Sequence, residues 1–94
     1  MSNQEKELEI KVDEKELKGS YSNLMKVSHT KEEFILDFLL ASPPQGVLSS
    51  RVIMSPGHVK RLIKALQENV KKYEENFGKV EEANSEQEVG FEPK

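Results

Sequence analysis

Ninety-four residues, 35% hydrophobic and 33% charged, make one lean domain, and with no cysteine neither a disulfide nor a thiolate–metal site can reinforce its core. The net charge of −3 hides a basic middle: residues 38–72 carry Arg51, Lys60, Arg61, Lys64, Lys71 and Lys72 against Glu68 alone, whereas residues 79–94 hold five glutamates and two lysines. No apolar run is long enough to span a bilayer, and MSNQEKELEI has neither part of a secretory signal, so a soluble cytoplasmic protein is expected.

Residues 1–7 read as a flexible start, residues 8–78 as a single α+β domain and residues 79–94 as a disordered acidic tail. From Glu7 to Asp13, Leu8, Ile10 and Val12 alternate with Glu9, Lys11 and Asp13, the pattern of a half-buried strand. Asp13 to Gly19 is a polar connection. A second strand is expected from Tyr21 to His29. Phe34 to Ala41 is the third and is apolar on both faces except at Asp37. Phe34, Leu36, Phe38 and Leu40 form one side; Ile35, Leu39 and Ala41 form the other. Such a strand is usually covered on both sides.

Ser42-Pro43-Pro44-Gln45-Gly46 breaks the ladder. A fourth strand from Val47 to Met54 places Leu48, Val52 and Met54 together, against Ser49, Arg51 and Ile53. Ser55-Pro56 then starts a helix, with serine able to accept from a first-turn amide and proline lacking a donor that it would not use. Val59, Ile63, Leu66, Val70, Tyr73 and Phe77 recur at gaps of 4, 3, 4, 3 and 4, a seam widened by Leu62 and Ala65 and closed by Gly78. These elements predict a four-stranded, mainly antiparallel meander followed by one long amphipathic helix on one sheet face.

The residues that carry chemistry are sparse. His29 and His58 are the only histidines and neither has a carboxylate at ligand spacing, so no metal is expected. The five glycines are scattered, with no run that would cradle phosphate, and no cofactor is expected. Ser28, His29 and Asp37 show no nucleophile elbow, and no catalytic residue is assigned. Lys60, Arg61, Lys64, Lys71 and Lys72 are the candidate nucleic-acid contacts. Glu68 and Glu75 interrupt that face, and no aromatic residue there offers base stacking, so a solvated helix face is the simpler account.

A helix over 56–77 would extend about 33 Å, whereas strands of six to eight residues reach roughly 20–27 Å. Tyr73 and Phe77 should therefore overhang the sheet. Ile35, Leu39, Val70, Tyr73 and Phe77 are the candidate surface for a second copy or a protein partner.

The run Gly19-Ser20-Tyr21-Ser22-Asn23, then Ser28-His29, Glu33-Phe34, Leu36-Asp37-Phe38, Ser50-Arg51-Val52-Ile53, Ser55-Pro56 and the helix from His58 to Glu74 resembles a small prokaryotic family, domain of unknown function 3467. The resemblance covers residues 8 to about 78, with Gly57 standing where that family usually has an acid. It implies no activity. More loosely, strands followed by a long C-terminal helix resemble the arrangement of SecB-type export chaperones, in topology alone. A non-catalytic homo-oligomeric adaptor, a dimer or tetramer of chaperone-like kind, is the leading expectation. Nucleic-acid binding through the basic helix face is the alternative.

Overall fold

The computed structural model describes residues 7–82. Residues 1–6 and 83–94, which contain most of the expected flexible start and acidic tail, lie outside the described residues. The elements in order are α1 (Glu14–Lys18), β1 (Leu24–His29), β2 (Phe34–Ser42), β3 (Gln45–Met54) and α2 (Pro56–Phe77). The sheet has three strands in the order β1-β2-β3, both pairings antiparallel, rather than the four expected.

The strand expected at 7–13 is absent. Its alternation supplies one apolar face, but a ladder also needs a neighbouring edge and a surface to cover that face. Here Leu8, Ile10 and Val12 remain 82%, 73% and 56% exposed. The polar connection after it coils into α1, with Glu14 and Glu16 in the first turn and Lys15 and Lys18 in the last, the signs that the helix dipole favours. Gly19 ends it at a φ of 81°, where a side chain would be strained.

The second strand starts at Leu24 instead of Tyr21 because Ser22 and Asn23 spend their side chains on the backbone. The Asn23 amide donates to the Ala41 carbonyl at 3.0 Å and its Oδ1 accepts from the Ala41 N–H at 2.8 Å. The Leu39 carbonyl accepts from the Asn23 N–H and from Ser22 Oγ. Ser49 Oγ donates to the Tyr21 carbonyl, so the chain ahead of β1 passes across β2 from β3. At the far end of the β1–β2 hairpin, Thr30 Oγ1 accepts from the N–H groups of Glu32 and Glu33, and His29 stacks on Phe34 at 5.2 Å.

β2 and β3 join through Pro43 and Pro44, with Ser42 opposite Gln45 and a cis bond between the prolines, the arrangement of a type VI turn. The register slips between Phe38 and Leu39: Phe38 faces Ser50, Leu39 faces Leu48, and Ser49 is left over. This bulge redirects every side chain beyond it. Leu48 therefore leaves the face of Val52 and Met54, where simple alternation puts it, and Val47 takes its place.

Two faces result. One carries Met25 and Val27 from β1, Phe34, Leu36, Phe38 and Leu40 from β2, and Val47, Val52 and Met54 from β3. The other mixes Ile35, Leu39, Leu48 and Ile53 with a row of charge, Lys26, Asp37 and Arg51. Among the described residues the buried hydrophobic core is Leu36 and Leu39. α2 begins one residue after β3, across Ser55, whose Oγ accepts from the His58 N–H at 3.2 Å. The helix does not settle on the sheet. None of its residues is buried, and only Val59, Leu62 and Glu74 are partly covered.

Candidate functional site

The apolar seam of α2 is open from Ile63 onward. Ile63, Leu66 and Val70 are about half exposed, as is Tyr73, and Phe77 is 73% exposed. At 100° per residue, Leu62, Tyr73, Leu66, Val59, Phe77, Val70 and Ile63 fall within a stripe about 100° wide. Tyr73 and Phe77 pack on each other at 5.0 Å and extend the stripe to the last turn. The helix is closed by the Gly78 N–H on the Glu74 carbonyl and by Glu74 Oε2, which accepts from the Val80 N–H.

The cations named from the sequence lie on the opposite side. Lys60, Lys64 and Lys71 fall within about 40° of one another, with Arg61 and Lys72 beside them. Lys60, Arg61, Ile63, Lys64 and Gln67 line a shallow open hollow. Arg61 Nη2 donates to His58 Nδ1 at 3.0 Å, which holds the guanidinium along the first turns. The five cations are all exposed. They are brought together on one helix, with Glu68 and Glu75 set among them.

On the sheet the site residues divide. Ile35 is half-buried, and Leu39 is 4% exposed within the single chain, so it offers no free surface. Its face also carries the ion pair: Arg51 Nε and Nη2 donate to the two oxygens of Asp37 at 2.7 and 3.0 Å. Those hydrogen bonds, helped by the positive charge of Arg51 and of Lys26, hold the Asp37 carboxyl below its ordinary pKa and outweigh the opposing effect of burial. The same pair raises the pKa of Arg51.

Leu48 and Ile53 on the face of Leu39 are about half exposed, but the wider open apolar surface belongs to the opposite face. Met25, Val27, Leu40, Val47 and Val52 are 40–62% exposed there. Sequence reasoning missed this face because it assigned it to the helix of the same chain. The alternation of β1 and β3 was the signal for it, and the bulge that brings in Val47 left no trace in composition.

Among the described residues no helix is long and apolar enough to cross a membrane, and no group of three or more His, Cys, Asp or Glu side chains could hold a metal ion.

Fold and surface together define a small α+β protein, an antiparallel sheet with a C-terminal helix, with apolar surface on both left exposed in the single chain. A family model described as protein of unknown function (DUF3467) matches residues 1–82, and the chain belongs to that family. No curated protein and no solved structure matches it.

Proposed function

We propose that the chain is a non-catalytic, cytoplasmic protein-binding module that works as a homo-oligomer, an adaptor with chaperone-like use of apolar surface. One observation carries this reading: most of the seam of α2 and much of one sheet face, around the buried Leu36, are apolar and open at once. Contiguous apolar patches of that extent are unusual on a monomer and mark association surfaces. The test has two parts. Light scattering at micromolar concentration should give a multiple of 10.7 kDa. A reduced and alkylated, permanently unfolded polypeptide should bind with an affinity that responds weakly to salt, as apolar contacts do. A monomer mass, or no binding, would remove the corresponding half.

Nucleic-acid binding is the second reading, favoured by the placement of Lys60, Arg61, Lys64, Lys71 and Lys72 opposite the apolar stripe, where both faces can be used together. Binding to duplex DNA would then fall steeply with salt, log K dropping by about 0.9 per phosphate contact. Replacing Lys60 and Lys64 by Glu would abolish it. Tight, salt-sensitive retardation of DNA or RNA in a gel would put this reading first.

A further inference from the structure

From the two open surfaces we infer that α2 of one copy lies across the Met25–Val27–Leu40–Val47–Val52 face of a second copy, reciprocally, in a two-fold exchange. This rests on the homo-oligomeric reading above and specifies its interface.

The two surfaces fit in shape. An apolar stripe about 100° wide is the form a helix takes against a flat apolar surface, whereas a two-stranded coiled coil uses a narrower seam. Leu62, beyond the Tyr73 border of the seam, is what widens it. They fit in length as well. Twenty-two helical residues span about 33 Å, and β3 with its ten residues about as much. The extent is sufficient. Each copy presents Ile63, Leu66, Val70, Tyr73 and Phe77 from the helix and Met25, Val27, Leu40, Val47 and Val52 from the sheet, all 40–73% exposed. At roughly 60–100 Å² apiece these would bury about 600–1,000 Å² per copy, where a standard stable interface needs about 800 Å².

A second copy is the occupant because it carries both halves, and a two-fold axis makes each half-interface generate the other. Helix-to-helix pairing would leave the sheet face open. The exchange covers both surfaces and keeps the basic face of α2 on the outside.

The absence of cysteine makes the test direct. Val27→Cys and Leu66→Cys variants, one carrying a size tag, are mixed, allowed to exchange subunits and treated with a bismaleimide, whose reach tolerates small errors of register. The expected product is a mixed covalent dimer in clear excess over the product of either variant alone. Dominant self-linkage of the Leu66→Cys variant would show helix facing helix and overturn the exchange. So would self-linkage of the Val27→Cys variant, or no linkage in a protein of multimeric mass. Both positions are exposed in the single chain, so neither variant disturbs the fold of the protomer. Light scattering on the unmodified protein separates the two failures: a monomer mass ends the oligomeric reading itself, and a multimer with the wrong linkage ends this interface alone.

Discussion

Asp37 occupies the middle of the central strand, nine-tenths buried, between Lys26 on β1 and Arg51 on β3. A carboxylate there is tolerable only because a guanidinium meets both of its oxygens. Since its folded pKa lies below the unfolded value, the ion pair stabilises the fold above the unfolded pKa, about 3.9, and the contribution is lost as pH falls through the folded value. Denaturant midpoints followed from neutral pH to below pH ~4 should therefore fall for the natural chain, and Asp37→Asn should remove part of that slope while lowering stability at neutral pH. Leu36 is the other residue on which the sheet depends, at 7% exposure. Leu36→Ala should cost about 2–5 kcal/mol, a large share of the stability of so small a domain, seen as a lower midpoint. The sequence marked both positions, as the apolar run and the lone acid within it. It could not mark Arg51 as the partner, because that pairing depends on a register fixed only when β2 and β3 meet.

At the scale of elements, the helix was the most legible. Its cap, its period and its terminal glycine agree with one another, and α2 spans the expected residues, Pro56–Phe77. Removing the cap by Ser55→Ala should lower stability by about 1 kcal/mol, measured by thermal unfolding, without altering the strands. β2 and β3 were legible for the same reason: long apolar runs bounded by breakers. The failures have physical causes. Leu8, Ile10 and Val12 have strand periodicity but pair with neither edge of the sheet and stay exposed, Ser22 and Asn23 divert their backbone neighbours from the ladder, and the bulge at Ser49 reverses an alternation that composition alone cannot reveal. The interface residues divide in the same way. Val70, Tyr73 and Phe77 stand open as the helical period implies, whereas Leu39 is enclosed by its own chain.

For the whole molecule, covering the two open apolar surfaces would link folding to association. If a second copy covers them, the melting temperature should rise with protein concentration, as it must when the associated form is the folded one. Calorimetry over a hundredfold dilution would show it, and an invariant melting temperature would separate stability from assembly. The connections have a consequence for the order of events. Four residues join β1 to β2, two join β2 to β3, and Ser55 alone joins β3 to α2. Every strand pairing is therefore between consecutive elements, and chains of that kind fold fast, with hairpins closing in about 1–10 μs. If copies associate, the protomer should be formed long before it finds another, and the slow step in assembly would be encounter between finished pieces.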